Sequence, residues 1–524
     1  MKKKINFDLR KIGITALLIT TLVVVFIWQY LFCVPVNIHS AGFLVELIIL
    51  LGLLFMIMLP SKDNTVAKKL RLYYVPLIAA VVLFLAMFIG APYTGGLNNY
   101  RNQSVIRDVD FATIPEFDKT QIQLVDKNTA QQLGDRVFGT LGSDEVSQYQ
   151  IGDDWVQISK NGTLYRVTPI DFGGLFKYFA TGSTPGYLTV DCETGDAKLV
   201  RSEGMKYLKS AYFGKNIYRH LFFHDPTAIM ASVKFELDDN NDPYWIAPVM
   251  DVTWIGKTED VKGVYIVDPV SGNIDYYDKD DVPSWVDNVY PISTVYRQFS
   301  QSKRYENGLF NWAKKGVVEF TDDYAYVQFN DNVWIYTGVT SVGKDESNVG
   351  FAYVDLRNGE ISYIRRAGAE EYSARSSAEG AVQQYHYSAI FPSMVNVRSV
   401  PTYFMGLVDG ANLIKNYAFV SYENYQLVAT GTTVEEAYRN YVKLINGDQP
   451  VEPVEIETSI VSFTVSDVMT IVQNGNSVVL LKDENGKIYS YDLSGGDFAS
   501  VFTNVGEIVT VMADENGTIT GFIR

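Results

Sequence analysis

The chain has 524 residues, 47% hydrophobic and 20% charged, with a net charge of −16. It is far longer than one domain needs and too apolar for wholesale disorder, and its 35 Tyr and 29 Phe favour β-structure over helical bundles. Residues 1–92 hold nine Lys/Arg and three Asp/Glu, which leaves 35 basic and 57 acidic residues in 93–524, a net −22 that argues against nucleic acid as a partner.

Three apolar stretches fill the N-terminal region. Ile12–Cys33 runs 22 residues without a charge, Ala41–Pro60 has 20 residues with one acid, Glu46, and Tyr73–Ala91 has 19 without a charge. A bilayer core of about 30 Å needs about 20 helical residues, so the pattern predicts a three-helix membrane anchor over 1–92. Basic residues cluster in 1–11 and 61–72, and the 34–40 link has none. The positive-inside rule then places the N-terminus in the cytoplasm and everything after about residue 92 outside a plasma membrane. Trp28, Tyr30, Tyr73 and Tyr74 suit an aromatic belt. A cleaved signal peptide fits less well, because two more apolar stretches follow the first. Glu46 reads either as an intramembrane relay or as an acid bonded to the first helix near the interface.

From Tyr93 the apolar runs become short and alternating. Residues 93–150 read as a stalk with a first helix near Asn128–Phe138. A strand–turn–strand then recurs as GYLTVDCETGDAKLV (186–200), GVYIVDPVSGNIDYY (263–277) and GFAYVDLRNGEISYI (350–364). Each copy opens its turn with an Asp (Asp191, Asp268, Asp355) and closes it with a Gly (Gly195, Gly272, Gly359). An Asp carboxylate can accept from a backbone N–H two residues on, and Gly tolerates the left-handed conformation, so these six residues are assigned to hairpin turns. YAFVSYENYQLVATG (417–431) is a fourth copy without the Asp and Gly. Helices are expected over Glu203–Phe223, Val282–Phe299, Glu370–Tyr385 and Val434–Asn446, the last capped by Thr433. The expected architecture is helix plus antiparallel sheet, an α+β arrangement, with repeats one and two in 151–280 and repeats three and four in 281–446. An acidic, Pro-containing linker, 447–457, leads to 458–524, whose short strands and spaced turns predict a small β-barrel of the OB or SH3 kind.

The hairpin signature after a helix resembles the PepSY-type fold, best in 243–277 and next in 350–364. The phrases FELDDNNDPYW (235–245), VPSWVDNVY (282–290), YTGVTSVGKDESNVGF (336–351), GAEEYSARSSAEGAVQ (368–383), FPSMVNV (391–397) and YQLVATG (425–431) resemble an uncharacterised membrane-protein family of Gram-positive bacteria and their phages. The resemblance spans roughly 130–445. It implies a location and a fold but no reaction. The association of PepSY modules with inhibiting or chaperoning peptidases implies a binding role.

The chemistry-bearing residues are sparse. His220 and His224, spaced i, i+4 with Asp225 next, share a helix face and are the metal candidates, set against a reading as two partly buried structural histidines. Ser-x-x-Lys occurs at Ser300–Lys303 and Ser341–Lys344 without the companion elements of a penicillin-binding enzyme, and Gly256-Lys257-Thr258 lacks the rest of a phosphate loop. Asp238, Asn240 and Asp242 alternate like calcium ligands, but Pro243 stands where a loop Gly belongs, so a turn is expected. Glu370, Glu371 and Glu379 read as the solvated face of one helix. Cys33 and Cys192 are too differently placed to be expected to pair, which suits a Gram-positive surface.

No catalytic residue, cofactor or metal is assigned. The function expected from the sequence is a membrane-anchored cell-envelope protein, not an enzyme, whose acidic extracellular α+β region binds a protein or cell-wall partner, with the lipid bilayer as its other partner. The alternatives are an envelope hydrolase or peptidase regulator, and a phage-encoded membrane or virion component.

Overall fold

The structure is a computed structural model describing residues 9–58, 78–79, 81–82, 85, 97–118, 123–253, 259–308, 310–329, 331–342, 347–446, 459–473, 476–492, 503–513 and 517–523. It divides into two compact units, Met1–Ile445 and Asn446–Arg524.

The first unit is built on one motif used four times, a helix followed by a four-stranded antiparallel meander. The helices are α3 (Lys127–Phe138), α5 (Ile217–His224), α6 (Ile292–Glu306) and α7 (Glu371–Ala381). The first meander is β1 (Val156–Lys160), β2 (Thr163–Phe172), β3 (Thr184–Asp191) and β4 (Ala197–Met205). The second is β5 (Lys234–Leu237), β6 (Pro243–Val252), β7 (Glu259–Val267) and β8 (Ile274–Asp278). The third is β9 (Ala325–Phe329), β10 (Asn332–Ser341), β11 (Ser347–Asp355) and β12 (Ile361–Ile364). The fourth is β13 (Ser393–Val397), β14 (Val400–Val408), β15 (Ile414–Ser421) and β16 (Val428–Gly431). The meanders pack on one another through shared apolar cores. The central strands are buried for most of their length, so their sequences read as near-continuous apolar runs.

The last hairpin of the first three meanders turns on the Asp–Gly pair. Asp191 accepts from the N–H groups of Glu193 and Thr194, Asp268 from Val270, and Asp355 from Arg357, at 2.7–2.9 Å. Gly195, Gly272 and Gly359 follow at φ +75°, +84° and +74°, values that only Gly adopts without strain. Each turn is also tied to the start of its own repeat. The residue after the Asp offers its carbonyl to an N–H donor just before the repeat's helix: Leu124 to Cys192, Tyr207 to Pro269 and Tyr290 to Leu356, at 2.7–2.9 Å. The fourth repeat keeps this tie, with Ala369 N–H donating to Tyr422 at 2.8 Å, although it has neither the Asp nor the Gly. The donors Leu124, Tyr207, Tyr290 and Ala369 recur about every 80 residues.

Residues 97–118 are not a stalk. Ile106–Asp108 adds a parallel edge strand to β12, and Phe117 N–H donates to Asn396 of the fourth meander at 2.7 Å. Phe117 is seated among Phe404, Phe419 and Tyr438. The chain thus laces the third and fourth repeats together before it builds the first. After β16, α8 (Val434–Ile445) returns onto the fourth sheet, where Tyr441 meets Phe419 and Thr402. Gly431 is required there, because a Cβ would lie 2.4 Å from the Ala437 nitrogen.

Two expected helices differ from those observed. Glu203–Phe223 holds the end of β4 and a short 3₁₀ turn before α5, because Met205 and Tyr207 are drawn into the apolar core. Within Val282–Phe299, the helix starts only at Ile292, since Pro283 and Pro291 keep the preceding backbone extended or turned.

The membrane anchor is the larger correction. Among the described residues, no helix is long and apolar enough to cross a membrane. The three-span membrane anchor and the plasma-membrane location with residues after 92 outside are therefore not supported. Helices α1 (Leu9–Phe32) and α2 (Ala41–Met58) do form. Both are tied to polar groups of the folded chain: Glu46 of α2 accepts from Gln29 Nε2 of α1 at 2.7 Å, and the Tyr30 carbonyl near the end of α1 accepts from Arg219 at 3.0 Å. The third stretch, 73–91, lies almost wholly outside the described residues.

The second unit is described by itself. In it, β17 (Ser459–Gln473) pairs at one end with β20 (Ile508–Ala513) and at the other with β18 (Asn476–Asp483), on either side of a bulge at Val465/Asp467. β19 (Ile488–Asp492) and β21 (Ile519–Ile523) complete the order β19-β18-β17-β20-β21. A bridge between Ser490 and Thr518 joins the two edges around a core of Val465, Val479, Leu481 and Val511. The linker 447–457 lies outside the described residues.

Candidate functional site

A group of exposed aromatic side chains gathers around α5 and the first meander. The sequence GGLFKYFATG folds as α4 (Leu175–Thr181), a two-turn helix ended by Gly182 at φ +70°. It turns Phe176 and Phe179 outward, 87% and 63% exposed. Phe213, 52% exposed, lies 5.9 Å from Phe179 between ring centroids, and Tyr178 bridges Phe179 and Tyr212 at 5.6 and 5.5 Å. Contiguous exposed rings of this kind mark interaction surfaces.

The helix α5 carries this cluster to the N-terminal region. Asn216 caps it by accepting from Arg219 N–H at 3.3 Å, and Ile217 and Leu221 bury its inner face. Arg219 donates to the Tyr30 carbonyl at 3.0 Å and to the Phe213 carbonyl at 3.2 Å, with its guanidinium 5.0 Å from the Tyr30 ring. Phe223 meets Tyr30 at 6.0 Å. The link after α1 is held on the same repeat: Val36 N–H donates to Pro226 at 2.7 Å and Asn37 Nδ2 to Thr227 at 3.0 Å.

Beside this junction lies a cavity of about 590 Å³, with Asn37, His39, Asp225, Lys262 and Tyr265 among its walls. Asp225 accepts from Thr227 N–H and Oγ1 and from Tyr265 OH, at 2.8–3.0 Å. Burial opposes ionisation, but these bonds prevail and hold its carboxyl below the ordinary range. Burial first, then the Asp225 carboxylate, pushes the Tyr265 phenol up to about 12. At neutral pH the pair is therefore a carboxylate and a phenol, a fixed hydrogen-bonding wall.

The residues singled out from the sequence are dispersed. His220 Nε2 donates to the Gly272 carbonyl at 2.7 Å and its ring lies 4.3 Å from Tyr207, so that nitrogen has no lone pair for a metal. Burial lowers its pKa and keeps it neutral. His224 faces Tyr265 at 5.5 Å instead. No metal-binding group of three ligand side chains occurs among the described residues. Glu46 accepts from Trp28 Nε1 and Gln29 Nε2 of α1, and so joins α2 to α1. Asp191, Gly195, Asp268, Gly272, Asp355 and Gly359 stand in the three turns described above. Asp238 accepts from the N–H groups of Asn240 and Asp242 in a closed turn. Lys303 is paired with Glu306 at 3.1 Å. Gly256-Lys257-Thr258 and Lys344 lie outside the described residues.

Glu371 corrects the solvated-face reading of its helix. It is buried, accepting from Tyr336 OH at 2.7 Å and Asn348 Nδ2 at 3.4 Å, in a polar knot between the third and fourth sheets. Glu379 accepts from Ala389 N–H at 2.9 Å. Cys33 and Cys192 are both free, and burial pushes the Cys192 thiol up to about 11. Sequence reasoning missed Arg219, Phe176, Phe179 and Phe213; the Phe-x-x-Phe spacing between glycines was the available signal.

No protein-family model matches the chain, and no curated protein matches it.

Proposed function

We propose that the protein is a non-enzymatic binding protein whose α+β region engages a protein partner through the aromatic cluster around α4. The exposure of Phe176, Phe179 and Phe213 on one side of the first repeat, with the Phe179 and Phe213 rings 5.9 Å apart, carries this reading. Aromatic anchors dominate interface energetics. The acidity of 93–524 favours a partner that rings its apolar contact with Lys and Arg, which speeds encounter and makes it salt-sensitive.

The test is affinity capture with the full chain, in parallel with a Phe176→Ser/Phe179→Ser variant. A stoichiometric partner retained by the wild type should be lost by the variant, with affinity reduced at least about thirtyfold. Its association rate should fall as salt is added. Equal capture by both proteins, or release of peptide or glycan fragments in place of a complex, would refute the proposal.

A further inference from the structure

A second cavity, of about 360 Å³, lies where all four repeats converge, and it holds a charge that nothing among the described residues answers. Arg166 projects from β2, a strand buried over most of its length. The residue is only 7% exposed. Its Nε has no hydrogen-bond partner among the described residues, and Nη1 reaches the Trp155 carbonyl at a long 3.4 Å. The guanidinium lies 5.1 Å from the Tyr326 ring centre. Among the described residues, no carboxylate comes within ion-pair distance of it. Asp154, an acid lining the same cavity, is already engaged: it is gripped by Lys209 at 2.8 Å and Lys234 at 3.3 Å.

A buried guanidinium with an open nitrogen is costly unless an anion completes it. Its planar fork suits a carboxylate or a phosphate. The rest of the lining decides between them. Asp126, Asp154 and Asp323 face the cavity together with Arg166, Lys127 and Lys234, and this balanced lining suits a zwitterion better than a phosphate dianion. Trp155, Tyr326 and Phe391 supply apolar wall. The volume is at the small end of ligand pockets.

We propose that this cavity binds a small α-amino carboxylate, of single amino-acid to dipeptide size, with the carboxylate on Arg166, the ammonium towards Asp323 and the side chain against the aromatic wall. The site is separate from the aromatic surface around α4, and either can fail without the other.

The test is calorimetric titration of the full chain with a panel of free amino acids, their N-acetyl forms, acetate and inorganic phosphate. At least one free amino acid should bind saturably below roughly 10 mM, and its N-acetyl form should bind several-fold more weakly. Arg166→Gln should weaken binding about tenfold to a hundredfold. Without ligand, this variant should melt no lower than the wild type, because it loses an uncompensated buried charge. If Arg166→Gln does not fold, Asp323→Asn changes only an exposed side chain at the cavity and should weaken amino-acid binding about threefold to tenfold. Binding of phosphate alone, equal binding of the N-acetyl forms, or no saturable binding across the panel would overturn the proposal.

Discussion

The third and fourth repeats solve one packing problem with the same two residue types in exchanged places. In the third, Gly359 of the turn presses on the ring of Tyr290 at the repeat's start, and an added Cβ would lie 2.6 Å from that ring. In the fourth, the start carries the glycine and the turn carries the ring: a Cβ on Gly368 would lie 2.4 Å from Tyr422. Tyr422 is fully buried and donates to the Arg366 carbonyl at 2.7 Å. The second repeat follows the third: a Cβ on Gly272 would lie 2.2 Å from the Tyr207 ring. What persists across the repeats is a volume to be filled and a backbone hydrogen bond to be made. The residue that fills the volume is free to come from either side.

The largest test of this exchange is Tyr422→Ala, expected to cost about 3–5 kcal/mol through the cavity it leaves. Tyr422→Phe should cost only about 1 kcal/mol, the bond to Arg366. Gly272→Ala and Gly359→Ala should follow, at about 2–5 kcal/mol each, since both combine positive φ with a ring in the way. Gly195→Ala is the control: its φ is the same, but the nearest atom stands 3.7 Å away. It should cost about 1–2 kcal/mol. Urea midpoints of the five variants rank these effects, and a Gly195→Ala as damaging as Gly359→Ala would sink the ring-on-glycine account.

The junctions also differ in charge. Asp287, just before the third repeat's tie, and Glu371, just after the fourth's, are both buried acids. Burial raises both pKa values, and for Asp287 the neighbouring Glu236 adds to the rise. Below the ordinary values of 3.8 and 4.5 both the folded and unfolded chains hold the proton. As pH climbs past those values only the unfolded chain releases it, so stability from these groups falls until the folded-state pKa is passed. Glu371→Gln removes that loss, and a flip of the Asn348 amide, whose Nδ2 now faces residue 371, lets the new amide donate to Asn348 Oδ1, a buried atom with no partner among the described residues. The variant should be about 1 kcal/mol more stable than the wild type at pH 7, with the gain shrinking towards pH 4 in thermal melts. A gain that grows on acidification would reverse the sign of this argument.

The smallest expected effect is at the Asp turns. Asp191→Ala frees the N–H groups of Glu193, half-buried, and Thr194, exposed, and should cost about 1 kcal/mol in a urea melt. A cost as large as that of Gly359→Ala would mean that the carboxylate, and not the glycine, fixes the turn.

The three turns were legible because their chemistry is local: an Asp reaches its own neighbours, and a Gly answers a single dihedral angle. Periodicity likewise revealed α8, where Thr433 Oγ1 accepts from Glu436 N–H at 3.1 Å. The fourth repeat was harder to read, because its lock exchanges residues 54 positions apart, Gly368 and Tyr422. The burial of Glu371 was hidden for the same reason: its helical spacing looks solvated until β10 and β11 bring Tyr336 and Asn348 to it. The candidate sites were legible least. The rings of Phe176 and Phe179 are four letters of sequence, and Phe213 joins them only through folding.

By itself, then, the sequence determined the short-range features: hairpin turns, helix caps, the acidity of the chain beyond residue 92 and the strand-rich composition. Each depends on residues within a few positions or on simple sums. The tertiary structure decided which strands share a sheet, how 97–118 laces the later repeats, which acids leave water and where Arg166 comes to rest without a counter-charge. Those outcomes turn on desolvation and close packing between distant segments, and neither quantity is written in the order of the residues.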